Sequence, residues 1–272
     1  KVLGAKTSLA QRRATVLAFF AGMRPEEFGE LVSIVFRPFR LLSDAAEDEE
    51  HNSAVLAALS SKKLLGFLNT LKDLVDQVGL RLTAHLPQMT STLLAILAHV
   101  FASGSACEAE EGDGEEDGGG DDEQSADYRQ KLFKKLRGLC LRRVTDVVTK
   151  FKGSDFSAFV PRLLATLKER IVRLPLENTQ SPVGLLETFH EMAHTEDLAR
   201  HLFSDEDVLP AIFGCMSAPR AAFPVRKTSL EIADVLVRQA ETLGLQDKMS
   251  AHMSVLLHNV YLHLKALVDN GG

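Results

Sequence analysis

Tryptophan is absent from this 272-residue sequence, tyrosine occurs twice and cysteine three times. Cys107, Cys140 and Cys215 are scattered with no CxxC spacing, which leaves no disulfide framework and suits a reducing compartment such as cytoplasm or nucleus. Long apolar runs are also missing. The longest, Leu93 to Ala102, is interrupted by His99 and falls far short of the roughly 20 residues that span a bilayer, so no membrane partner is expected. No cleavable signal is visible at the start. The chain begins at Lys1 without a methionine and ends Asn270-Gly271-Gly272, which reads as a piece of something longer. Alternating strand patterns joined by hairpin turn pairs do not occur. Nor does a glycine-rich phosphate loop, a G-x-S-x-G elbow or a Cys/His pair at catalytic spacing, so neither a cofactor nor a small-molecule substrate is expected.

Charge is present in quantity but unevenly. The formal net charge is −6, from 37 acidic and 31 basic residues. Residues 108–127 hold 11 acids and no base, and residues 44–50 hold 5 acids and no base. Setting those 16 aside leaves 21 acids against 31 bases, so the rest of the chain is distinctly basic. Residues 128–152 are the most basic stretch, with 9 Lys/Arg against Asp146 alone. The protein is a basic body carrying acidic inserts.

Apolar residues recur with the helical period almost everywhere else. Leu64, Leu65, Leu68, Leu71, Leu74, Val75 and Val78 form one stripe; Leu132, Leu136, Leu139, Cys140, Val144, Val147, Val148 and Phe151 form another. Leu230, Ala233, Val235, Leu236 and Val237 repeat it, as do Val255, Leu256, Val260, Leu264 and Leu267. The expected class is all-α. "HLPQMTSTLLAIL" (85–97), "FVPRLLATLKERI" (159–171) and "VLPAIFGCMSA" (208–218) each set an apolar-Pro pair ahead of an apolar helical run, proline being tolerated in a first turn. Pro87 and Pro161 are 74 residues apart, with an insert of about 24 between them, and Pro161 and Pro210 are 49 apart. These separations suit stacked helix pairs of roughly 40–47 residues, the period of HEAT and armadillo α-solenoids. The pattern is loose, and a globular helical bundle satisfies it as well. The segment 104–127, "GSACEAEEGDGEEDGGGDDEQSAD", cannot form a core and reads as a disordered loop between a helix ending near Phe101 and one starting near Asp127. The expected organisation is one continuous solenoid segment, with repeats over 1–103, the acidic insert over 104–127 and further repeats over 128–272.

"LLETFHEMAHTEDL" (185–198) contains His190-Glu191-Met192-Ala193-His194, an H-E-x-x-H pattern. Two histidines four residues apart lie about 40° apart on a helix, so both can reach one Zn²⁺ while the glutamate activates its water. A third ligand is needed. The metzincin extension places Gly and His where this chain has Asp197 and Arg200, and His201 is one residue out of register. No glutamate follows Glu206 until Glu231, which leaves the gluzincin arrangement unsupplied. Leu185, Leu186, Phe189, Met192 and Ala193 form the apolar face, with Glu187, His190, Glu191 and His194 on the polar side. The expectation is a peripheral helix with exposed imidazoles and no metal. "DGEEDGGGDD" (113–122) lacks the alternate-residue ligands and closing Glu of an EF-hand and reads as a solvated charge run.

The basic stretch carries more weight. Arg129, Lys131, Lys134, Lys135, Arg137, Arg142 and Arg143 are expected to decorate the polar sides of one long helix, off its apolar stripe. Such a helix can neutralise phosphates without reading sequence. The bland alternative is a solubilising face that balances the neighbouring acids.

Three segments, "QRRATVLAFFAGMRPEEFGELVSIVFRPF" (11–39), "SKKLLGFLNTLKDLVDQVG" (61–79) and "ERIVRLPLENTQSPVGLLETF" (169–189), occur in this order. Together they resemble the shared domain of the "down-regulated in metastasis" family, very large HEAT-repeat proteins of the small-subunit processome. The resemblance runs from about Arg12 to beyond Cys215. "RLPLENTQSPVGLL" is its most specific part, since helical patterning does not dictate an irregular Pro/Asn linker. It implies a non-enzymatic nucleolar scaffold for pre-ribosomal RNA processing and small-subunit assembly. The implied partners are pre-ribosomal RNA and assembly proteins, with the acidic loop open to basic proteins. The alternative from a different class is a HEAT-repeat nuclear transport receptor whose acidic loop binds basic cargo.

Overall fold

The computed structural model describes residues 9–43, 48–110, 120–176 and 184–270; at the outer turns of α1 and the facing ends of α5 and α6 it describes parts of the backbone without side chains. Every regular element among the described residues is helical. They are α1 (Leu9–Gly22), α2 (Pro25–Phe36), α3 (Glu49–Ala57), α4 (Ser61–Val78), α5 (Leu86–Glu110), α6 (Gly120–Lys150), α7 (Phe159–Arg173), α8 (Gly184–Ala193), α9 (Glu196–Leu202), α10 (Val208–Ser217), α11 (Phe223–Leu243) and α12 (Gln246–Asn270). The all-α helical-repeat class expected from the periodicity is what the chain adopts. Pro87, Pro161 and Pro210 fall in the first turns of α5, α7 and α10, where a missing N–H costs no helical hydrogen bond.

Local signals set the helix ends. Pro25 opens α2, and Glu27 reaches back to accept from the Arg24 N–H at 3.3 Å. Ser60 caps α4 by accepting from the Lys63 N–H. α11 ends where Gly244 turns left-handed at φ +67°, and the Leu245 N–H then bonds the Ala240 carbonyl at 2.8 Å.

The chain divides into two compact units, Lys1–Phe151 and Lys152–Gly272. The division falls just after the basic helix α6. In that unit α5 packs against α3 and α6, and α4 against α1 and α6. α4 buries Leu64, Phe67, Leu68, Leu71, Leu74, Val75 and Val78. Leu65 is only half-buried; Phe67 enters the core beside it and meets the rings of Phe36 and Phe39 at centroid distances of 5.3 and 4.3 Å. Cys140 of α6 donates its thiol to the Leu93 carbonyl of α5 at 3.5 Å. The stretch Ser61–Ser103 holds a window apolar enough by composition to cross a bilayer. The 3₁₀ segment Gly79–His85 interrupts it, and Leu93, Ile96, Leu97 and Val100 are spent in the core.

The boundaries around the acidic segment differ from the sequence expectation. α5 runs past Phe101 to Glu110, and α6 begins at Gly120, before Asp127. Alanine and glutamate are good helix formers, so a segment without a core partner can still continue a helix. The middle of the expected disordered loop, residues 111–119, lies outside the described residues, as do residues 44–47 of the smaller acidic run and 177–183 of the Pro/Asn linker.

In the second unit α10 packs against α7, α11 and α12, and α11 against α8, α9 and α12. Phe189, Ile212, Phe213, Leu163, Leu167 and Leu236 are buried at their junctions. Two stripes sit differently from the sequence expectation. α11 buries Val225, Ser229, Ile232, Ala233, Leu236 and Ala240, while Leu230 and Val237 face out. Ser229 can be internal because its hydroxyl donates to the Ile212 carbonyl. α12 buries Leu256 but exposes Leu264 and Leu267.

Candidate nucleic-acid interface

The basic residues of α6 do not share one environment. At about 100° per residue, Lys131, Lys135 and Arg142 fall within about 40° of one another, opposite the buried stripe Leu136–Cys140–Val144–Val147. All three are exposed, and Lys134 is exposed on the adjoining side. The set therefore spans about 16 Å along the helix axis, enough to face several phosphates. Arg137 points the other way and is half-buried, its guanidinium carbon 5.9 Å from the Phe101 ring centroid of α5. The Arg129 side chain lies outside the described residues.

Arg143 corrects the sequence expectation. The sequence pattern sets it on the polar side, yet its side chain is buried, with Nη1 3.0 Å from Asp146 Oδ2 one turn on. One residue beyond Arg142 turns the side chain by about 100°, from the exposed row toward the Leu136–Val144 stripe. The two charged atoms are close without hydrogen-bond alignment, so Arg143 Nε and Nη1 and Asp146 Oδ2 make no hydrogen bond. Burial pushes the Asp146 carboxyl above the usual range, against the pull of the Arg143 charge; nearby Asp76 pushes it further up, and Lys72 offsets this. Lys72 and Asp76 are themselves paired on α4. The exposed basic row is thus Lys131, Lys134, Lys135 and Arg142, with carboxylates beginning near its C-terminal end.

The H-E-x-x-H helix is α8. Leu185, Leu186, Phe189, Met192 and Ala193 are all buried, as the sequence pattern predicts. His190 and His194 stand at the outer edge with ring centroids 4.7 Å apart and planes 71° apart. Glu191 lies 3.8 Å from His190 Nδ1 and 4.0 Å from Lys152 Nζ. Partial burial and the charge of His190 hold the His194 imidazole below its ordinary value, while Glu191 opposes them. Among the described residues no three His, Cys, Asp or Glu side chains converge on a point that could hold a metal.

The features so far define an all-α helical-repeat protein with a row of exposed cations on one long helix, α6. The sequence profile described as "U3 small nucleolar RNA-associated protein 20, N-terminal" matches residues 2–270, and the chain belongs to that family. A curated relative, "U3 small nucleolar RNA-associated protein 20" of Schizosaccharomyces pombe, is 23% identical over 247 residues, 89% of this chain. The chain spans 9% of that relative's length. The family resemblance drawn from the three quoted segments is borne out, and nothing in these matches favours the nuclear-transport alternative.

Proposed function

We propose that this chain is a non-catalytic scaffold segment of the small-subunit processome in the nucleolus, where Lys131, Lys134, Lys135 and Arg142 meet the phosphates of pre-ribosomal RNA. The observation that carries the reading is the exposed row of cations on α6, in a chain whose family is described as U3 small nucleolar RNA-associated. The relative's association with that RNA supports an RNA-rich setting. Asp197 and Arg200 stand where a zinc hydrolase of the extended H-E-x-x-H type needs Gly and His, which supports a non-catalytic role. By charge, the acidic segment around residues 108–127 suits basic assembly proteins.

The test is a quadruple substitution, Lys131→Gln, Lys134→Gln, Lys135→Gln and Arg142→Gln, assayed for RNA affinity across a salt series. Each lost phosphate contact removes about 0.7 to 0.9 from the slope of log affinity against log salt, so a loss of about 3 is expected if all four engage. Retention of both affinity and slope would reject the interface. Circular dichroism should be unchanged, since none of the four is in the core.

A further inference from the structure

The turn between α9 and α10 holds Ser204-Asp205-Glu206-Asp207, a hydroxyl followed by three carboxylates. Buried Phe203 and Val208 anchor its two ends, while Ser204 itself is exposed. The other exposed serines among the described residues have no acid within the three positions that follow them. Two of the three acids are engaged away from the hydroxyl. Asp205 accepts from the Asp207 and Val208 N–H groups at 3.0 and 3.2 Å, which fixes the turn. Lys168 of α7 stands 3.2 Å from Asp205 and 2.8 Å from Asp207. The Ser204 hydroxyl donates to the Arg200 carbonyl at 3.0 Å and accepts from Lys248 Nζ, in the first turn of α12, at 3.2 Å. Beside it opens a pocket of about 550 Å³, whose wall carries Ser204, Arg200 and His201 together with Asp155 and Asp197.

We propose that Ser204 is a phosphorylation site, modified by a protein kinase whose peptide groove is basic, and that Lys248 holds the phosphate once it is there. Carboxylates at the three positions after the hydroxyl are what such a groove reads, through charge-assisted hydrogen bonds. A kinase that reads basic residues finds only Arg200 and His201, four and three positions before. In the transfer the Ser204 Oγ attacks the γ-phosphorus of ATP and gives its proton to the kinase's base. The Oγ–P bond forms as the bond to the β-phosphate oxygen breaks, and nucleoside diphosphate leaves. The ester can no longer donate to the Arg200 carbonyl, a small loss at an exposed turn. It gains roughly two negative charges and three acceptor oxygens. The Lys248 ammonium already lies against the oxygen that takes the phosphorus, and the pocket gives the new oxygens room beside Arg200 and His201. Asp205 and Asp207 repel the phosphate, but Lys168 offsets both, and solvent screens what is left at this exposed position. Phosphorylation therefore ties the α9–α10 turn to the start of α12. This inference does not rest on RNA binding.

The experiment incubates the folded full-length protein with MgATP and a purified serine kinase selective for carboxylates at the three positions after the serine. A synthetic peptide of residues 199–210 confirms that the kinase is active. Peptide mapping should place phosphate on Ser204, and Ser204→Ala should remove it. Glu206→Lys, at an exposed position, should slow incorporation at Ser204 by about tenfold or more, since a charge-assisted contact becomes a repulsion. In the phosphorylated protein, hydrogen exchange at the amides of residues 249–252 should slow by about threefold, the scale of an exposed charge contact. Lys248→Gln should abolish that slowing without blocking incorporation. Phosphate on Ser204 only after denaturation, or an undiminished rate in Glu206→Lys, would overturn the assignment of the site. Unchanged exchange on phosphorylation, or slowing that survives Lys248→Gln, would overturn the role given to Lys248. Circular dichroism of each variant shows whether it is folded.

Discussion

Arg142 and Arg143 are adjacent, equally charged and, by structure, opposite in role, so replacing each by alanine separates packing from surface charge. Arg143 Nη1 lies 3.0 Å from Asp146 Oδ2, which at an effective dielectric of about 20 is a gross attraction on the order of 5 kcal/mol. Most of that only offsets the cost of taking both groups out of water. Breaking a fully buried pair costs about 3–5 kcal/mol, because one charge is left uncompensated. Asp146 is not fully buried: its side chain is 36% exposed, so water recovers part of the loss and about 2 kcal/mol is the expected net effect. In a chain of this size that is a fall in melting temperature of about 4–8 °C. Arg142→Ala should stay within about 0.5 kcal/mol of the parent. The Arg143→Ala penalty also carries a pH signature. The folded-state pKa of Asp146 is already raised, so its ionised form weakens the fold as pH rises through that value. Removing Arg143 takes away the charge that favours the carboxylate, so the penalty should be full near neutrality and shrink as Asp146 protonates in mild acid. Urea denaturation of both variants at two pH values reads this out. Equal midpoints for Arg143→Ala and Arg142→Ala would refute the buried placement of Arg143, and a penalty that grows in acid would refute the role given to Asp146.

Two further outcomes follow from local geometry. Gly244→Ala should destabilise by about 1 kcal/mol in chemical denaturation, because φ of +67° is costly for a residue with a Cβ although nothing lies within 4 Å of the added carbon. Burial pushes the Cys140 thiol up to about 12, and the side chain is enclosed between α5 and α6. It should therefore resist a thiolate-directed reagent such as dithionitrobenzoate at pH 8 in the folded protein and react once denatured, as read by peptide mapping of the modified residue.

Helical periodicity alone carries far in this chain. The α4 and α8 stripes were legible because leucines and phenylalanines recur on one face with polar residues opposite, and such a face has one sensible burial. The three proline-led segments were legible for a related reason, since proline restricts its own position within a helix. Family membership was legible from the Pro/Asn linker and its flanking helices. The same period does not rank competing faces. On α11, Leu230 and Val237 look as buriable as Ile232, yet a small hydroxyl at Ser229 can approach the Ile212 carbonyl closely and turns the helix that way. The ends of α5 and α6 were misplaced because composition reports what cannot form a core, and a helix can run beyond its core.

Residue order, then, was sufficient for the all-α class, the proline-led first turns of α5, α7 and α10 and the buried faces of α4 and α8, because these depend on neighbours three and four positions away. The usable surface was not contained in it. Whether Arg143 is buried or meets solvent, whether Arg137 meets solvent or Phe101, and whether Leu264 is core or exposed depend on which helix arrives from another part of the chain. Charge and hydropathy are properties of a residue, but burial is a property of its neighbours in space.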